Sequence, residues 1–175
     1  MKTSTCPFCG SALDKTVGTY HYKACGLPDV WLEGVVLRVC PGCTEGHGVE
    51  IPDIAGLHKV LADYLIHQKA RLASFEIRFL RKVLSWSSRD FAKKLGVTPE
   101  TVSRWEAGTL NMGDAHDRIL RLYVAEDEPI KNYSIHDTEG LKTERLTPPV
   151  PLKVQHHKDH WSRPMTPGMT APACC

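Results

Sequence analysis

The chain has 175 residues, 42% of them hydrophobic, which is enough for a core and fits one domain or two small ones; two are expected. No apolar signal region follows Met1-Lys2-Thr3-Ser4-Thr5-Cys6, and no stretch approaches about 18 uninterrupted apolar residues, so a leader and a membrane span are not expected and the reading is a soluble, cytoplasmic protein. The formal charge of +2 is unevenly spread: residues 66–105 hold nine Lys or Arg against three acids, a net +6, while the remaining 135 residues sum to −4. A basic block in an acidic frame suits attraction to phosphate, although a solvated helical face would carry the same charge.

Residues 1–50 contain five of the seven cysteines, seven glycines and two short β-rich runs, 16–22 and 30–39. Runs this short and Gly-flanked bury little, so a module of this size calls for a staple, and a metal commonly provides it. Two knuckles supply one: Cys6-Pro7-Phe8-Cys9 and Cys40-Pro41-Gly42-Cys43. An odd cysteine count in a reducing compartment favours metal over disulfides, and four soft sulfurs suit one tetrahedral zinc ion. A closed site of four sulfurs leaves no position for a reactive water, so the ion is expected to be structural. The competing reading is a redox dithiol. Cys25, His21 and His47 are spare candidates beside the four.

From Pro52 the pattern turns helical. Ile54, Leu57, Leu61 and Leu65, then Leu72, Phe75 and Phe79, recur at three-, four- and seven-residue intervals, giving a connecting helix over 51–75 with a possible break; it serves core packing or dimerisation. Residues 76–127 read as four short helices. The first, about 76–84, has Ile77, Leu80, Val83 and Leu84 on one face. The second starts at Ser87-Ser88-Arg89-Asp90, a capping box with Asp for Glu, and stops at Gly96. In the third, Thr98 caps, Pro99 takes the first helical position and Gly108 ends it. The fourth carries Ile119, Leu120, Leu122 and Val124. Beyond residue 128 periodicity is lost and proline clusters, so 128–175 is expected to be a disordered tail in which His156, His157 and His160 have no fixed geometry and Cys174 and Cys175 are incidental. The fold class is therefore α+β: a small N-terminal zinc-ribbon-like β domain (1–50), then an all-α helix-turn-helix domain of four to five helices, then the tail.

Two helices joined through Gly96-Val97, with small Ala92 allowing a close crossing and Phe91, Leu95, Val97, Val102 and Trp105 as shared core, fit a helix-turn-helix. That core leaves Pro99, Glu100, Thr101, Ser103 and Arg104 facing outward on the second helix. Arg104 is the first choice for a bidentate bond to guanine, and the hydroxyls reach bases or phosphates. Ser88, Arg89, Lys93 and Lys94 on the preceding helix would bind phosphates and set orientation. Glu100 would be repelled by phosphate unless it accepts from a cytosine amino group. The unadorned alternative is a four-helix packing module with a basic face.

Residues 87–108, Ser-Ser-Arg-Asp-Phe-Ala-Lys-Lys-Leu-Gly-Val-Thr-Pro-Glu-Thr-Val-Ser-Arg-Trp-Glu-Ala-Gly, resemble the phage-repressor type of helix-turn-helix, and with the two knuckles before them residues 1–125 resemble the MqsA family of zinc-finger antitoxins, the YgiT-type regulators. The resemblance implies an N-terminal zinc domain that binds a toxin, an mRNA-cleaving ribonuclease, and a C-terminal domain that dimerises and represses its operon at a palindromic operator. It places Cys6, Cys9, Cys40 and Cys43 at the zinc ligands and Arg104 at a base-reading arginine, while Glu100 departs from the family's asparagine. Three readings follow: a dimeric repressor and antitoxin, a stand-alone zinc-containing regulator or metal or redox sensor, and an adaptor that binds only protein. An enzyme is not expected, since the sequence shows no nucleophile with a neighbouring base, no phosphate-cradling loop and no open metal site.

Overall fold

The computed structural model of the chain describes residues 5–43, 47–127, 133–138, 151–157 and 160–164. In chain order the strands and helices are β1 (Asp14–His21), β2 (Val30–Val39), β3 (His47–Glu50), α1 (Ile54–His67), α2 (Ser74–Val83), α3 (Ser88–Leu95), α4 (Pro99–Ala107), α5 (Asp114–Asp127), β4 (Leu152–His157) and β5 (His160–Ser162). The chain is α+β as expected, with a sheet built on the N-terminal strands followed by five helices. It divides into two compact units: Met1–Tyr22, Val30–Ile54 and Pro151–Cys175 form one, Lys23–Asp29 and Ala55–Val150 the other.

In the first unit β2 is the axis of the sheet. β1 runs antiparallel along one edge of β2, while the other edge is shared by two strands: β4, parallel, against Val30 to Glu33, and β3, antiparallel, against Val36 to Val39. The change of partner falls at Gly34. There the β1 pairing shifts register, Gly18 facing Val35 and Thr19 facing Glu33, and Gly34 takes φ +75°, a conformation open to glycine without strain. The inserted residue also resets the alternation of faces, which is why Val30, Leu32 and then Val35 are the buried positions of β2.

β4 and β5 come from the segment after residue 128 that was expected to carry no regular structure. Over 152–157 and 160–162 that expectation, and with it the expectation that the histidines there lack fixed geometry, is corrected. Val154 and Trp161 are buried, and the Trp161 indole N–H donates to the carbonyls of Pro52 (2.9 Å) and Asp53 (3.2 Å). The strand was hidden because its partner is β2, far away in sequence, and prolines surround it. Cys174, Cys175 and most of the proline-rich stretches lie outside the described residues.

The second unit is helical. α1 buries Leu57, Leu61, Ala62, Leu65 and Ile66 along one stripe, while Ile54 at its start stays exposed. The helical run is interrupted between His67 and Ser74, and α2 then starts with the buried Glu76 carboxylate accepting the Ala73 amide at 2.7 Å. α5 lends the break its support. Arg121 is 0% exposed and Asp117 3%; the two are paired four residues apart on α5. The Arg121 guanidinium also donates to the carbonyls of Leu65, Ile66, Gln68 and Ala70, and Asp117 accepts the Leu72 amide at 2.8 Å. A buried ion pair thus satisfies the orphan carbonyls at the end of α1 and the turn that follows.

Candidate functional site

The two cysteine knuckles sit at the open end of the β1–β2 hairpin, away from the 22–29 connection. Asp14 faces Val39, so the residues just before β1 and just after β2 meet at one end of the sheet. This answers how knuckles separated by a long gap come together. The first knuckle is tightened by Cys6 N–H donating to Ser11 (2.8 Å) and Gly10 N–H to Cys6 (2.9 Å), with Gly10 at φ +75°. In the second, a Cβ on Gly42 would fall 2.6 Å from the Ser11 hydroxyl and 3.4 Å from the Cys9 sulfur, so the position has no room for a side chain.

The sulfurs of Cys6, Cys9, Cys40 and Cys43 all lie within 4.8 Å of one another. Cys9 and Cys40 are 3.3 Å apart, Cys6 and Cys43 3.6 Å, and Cys40 and Cys43 3.6 Å. A tetrahedron of sulfurs with metal bonds of about 2.3 Å has edges of about 3.8 Å, so the cluster is close enough to bind a metal ion and its donor set is consistent with zinc. Hydrogen bonding with Ser11 holds the Cys9 thiol down to about 6, whereas burial pushes Cys40 up to about 12. Neither Cys25 nor His21 joins the cluster: Cys25 belongs to the helical unit, where burial raises its pKa, and His21 stacks on Trp31 with centroids 4.3 Å apart. The His47 side chain lies outside the described residues.

In the helical unit the local signals produce the expected geometry. Ser87 Oγ accepts the Asp90 amide at 3.1 Å while Asp90 accepts the Ser87 amide at 3.1 Å, and α3 ends at Gly96 with φ +66°. Thr98 Oγ1 accepts the Thr101 amide at 3.3 Å, Pro99 opens α4, and Gly108 closes it at φ +74°. Between α3 and α4 the side chains of Phe91, Ala92, Leu95, Val102 and Trp105 are buried, with Val97 half-buried; the Phe91 and Trp105 rings meet edge to face at 6.5 Å.

This core leaves Pro99, Glu100, Ser103 and Arg104 exposed on α4, and Ser88, Arg89, Lys93 and Lys94 exposed on α3. Thr101 is half-buried, its hydroxyl 3.2 Å from that of Thr98. Lys94 lies over the Trp86 ring at 4.7 Å and the Tyr123 ring at 5.6 Å, an attraction that draws it toward the aromatic pair. The Glu100 carboxylate accepts from its own amide and the Thr98 hydroxyl, which holds its pKa below the ordinary range and keeps it charged.

Not every cation of the basic block faces outward. Arg81 donates to both oxygens of Glu106 (2.5 and 3.0 Å) and to the Trp86 carbonyl (2.7 Å), Arg78 also pairs with Glu106, and Arg71 pairs with Asp114. Glu106 and Arg81 thereby lock α4 to α2 and fix the angle at which α4 is presented. In the sequence Arg81 is one more charge of the basic block, and nothing local links it to Glu106 on a different helix.

Residues 77–111 match the helix-turn-helix family. The match spans α3, α4 and most of α2, and it is a DNA-binding regulator fold, which supports binding of double-stranded DNA. It covers the phage-repressor part of the resemblance and reaches no residue of the sheet unit. Comparison with curated proteins and with solved structures finds no match. Among the described residues, no helix is long and apolar enough to cross a membrane.

Proposed function

We propose that the chain is a sequence-specific transcriptional repressor that binds a palindromic operator as a homodimer in the cytoplasm, with one structural zinc ion held by Cys6, Cys9, Cys40 and Cys43. The observation that carries this is the exposed face of α4, where Glu100, Ser103 and Arg104 stand clear of the core formed by Val102 and Trp105. Arg104 reads a guanine in the major groove, with Pro99, Glu100, Thr101 and Ser103 beside it, and Ser88, Arg89, Lys93 and Lys94 approach the phosphates. The zinc supplies no chemistry to the reading; it holds the sheet unit together.

The resemblance to the zinc-finger antitoxins extends the proposal: the sheet unit binds a toxin, and the chain is the antitoxin of a type II pair. The alternative, a stand-alone regulator or a metal or redox sensor, is separated by purification of the tagged chain from its native cytoplasm. A small companion protein in stoichiometric amount supports the antitoxin, while the zinc-loaded chain alone supports the stand-alone regulator. The DNA reading is tested by selecting bound sequences from a random pool and measuring salt dependence. A selected palindrome and an affinity that falls with salt support it, whereas binding without sequence preference overturns it.

A further inference from the structure

We propose that the β4–β5 hairpin carries a second metal site, in which His157 and His160 hold one divalent transition-metal ion of the imidazole-preferring kind, zinc, nickel(II) or copper(II), with solvent completing its coordination. The two histidines face each other across the hairpin, directly paired in the antiparallel register and separated in sequence by two residues. Directly opposed positions project to the same side of a sheet with Cβ atoms about 4.5–5.5 Å apart. Both side chains are exposed, and their rings lie with centroids 6.5 Å apart and planes at 44°, so rotation of the His160 ring about its side-chain bonds would bring one of its nitrogens toward His157.

One of the two is already oriented. Glu33 on β2 accepts the Gln155 amide N–H at 2.6 Å, which turns the Gln155 oxygen toward Nε2 of His157 at 3.2 Å. Lys153 anchors the other oxygen of Glu33 at 3.1 Å. An oxygen facing Nε2 makes that nitrogen the proton donor, so the lone pair of His157 stands on Nδ1. Fixing a ligand's tautomer and ring plane through its second nitrogen is what outer-shell partners do at imidazole metal sites. His156, next in the chain, goes to the opposite face and packs on Trp161 with centroids 5.0 Å apart, which leaves it out of the site.

The chemistry differs from that of the four thiols. Two imidazoles leave most of the coordination sphere to water, so this ion exchanges, and it suits borderline metals that imidazole prefers.

The test uses the full chain with its thiol cluster loaded with zinc, titrated with nickel(II) alone and followed by backbone amide spectra and calorimetry. The expected result is one saturable equivalent, with paramagnetic broadening centred on residues 157 and 160. The pair His157→Gln and His160→Gln abolishes that equivalent, while Gln155→Ala, which removes only the orienting acceptor, weakens it about tenfold. A variant that disturbs the hairpin is controlled by the wild-type spectra, which need no substitution. Broadening centred on other histidines or on the cysteines, the absence of saturable binding, or nickel binding unchanged in the double variant would each overturn the site.

Discussion

The two units solve the same problem with different means. The helical unit, within Ala55–Val150, buries a long series of apolar side chains, among them Leu57, Leu61, Ile77, Leu80, Phe91, Val102, Leu120 and Val124, and closes its helices with local caps. The buried apolar side chains of the sheet unit, among the described residues, are Cys6, Tyr22, Val30, Leu32, Val35, Cys40, Val154 and Trp161, two of them thiols of the cluster. A core that small needs a staple, which the proposed ion on the four thiols would supply, whereas the helical core stands on packing. The difference teaches where each unit is vulnerable.

Metal removal gives the largest expected effect. Structural zinc contributes about 10–16 kcal/mol of binding free energy in small zinc modules, and in such modules that is folding free energy. Stripping the metal with a strong chelator under reducing conditions, or Cys40→Ser, is expected to collapse amide dispersion for β1 to β5 while the signals of α2 to α5 persist. Simultaneous loss of both sets, or retention of the sheet signals, would break the comparison.

In the helical unit the corresponding weak point is Arg121. Arg121→Ala strands Asp117 in the core and removes the donors that serve Leu65, Ile66, Gln68 and Ala70, at a cost of about 3–5 kcal/mol. Ile119→Ala on the same helix, at an exposed position, is expected within about 0.5 kcal/mol. Urea unfolding monitored by helix signal distinguishes them, and equal midpoints for the two variants would show that the buried pair contributes nothing.

These two weak points were not equally legible. The knuckles are legible from spacing alone, because a Cys-x-x-Cys turn is local and its chemistry is specific. The caps Ser87, Thr98, Gly96 and Gly108 are legible in the same way, since each bond spans three or four residues. What escaped is non-local. Asp117 and Arg121 look like an exposed i,i+4 pair until the folded chain wraps the 65–72 turn over them, and Arg81 looks like surface charge until Glu106 meets it. β4 escaped because its pairing with β2 has no periodic trace in the sequence between them. Of the proposed DNA face, the exposure of Pro99, Glu100, Ser103 and Arg104 follows from the helical pattern, but the half-burial of Thr101 and the engagement of Lys94 with Trp86 and of Arg78 with Glu106 do not.

Arg104→Ala sharpens the comparison by changing function without stability. It is expected to lower operator affinity by about 1–3 kcal/mol and relax preference at one base position, leaving the unfolding midpoint in place. Lys93→Ala should weaken binding evenly across sequences and reduce the salt slope by about one unit. Fluorescence anisotropy with operator variants separates the two patterns; loss of preference with Lys93→Ala but not Arg104→Ala would reassign the reading residue.

The smallest expected effect lies at the cap of α3. Ser87→Ala removes the acceptor of the Asp90 amide and should cost about 1 kcal/mol, seen as a lower urea midpoint for the helical unit and none for the sheet. The reciprocal half of the cap carries a pH signature. Asp90 accepts from the Ser87 hydroxyl and amide, and both hold its pKa below the ordinary carboxylate value. A carboxylate with a depressed folded pKa contributes its stabilisation in full above the unfolded value and loses it as pH falls through the folded one. Asp90→Asn should therefore fall below the wild type at neutral pH and approach it in acid, and because the group is on the surface the gap should narrow with added salt. An offset independent of pH would mean that the cap works through hydrogen-bond geometry alone, with no share for the charge.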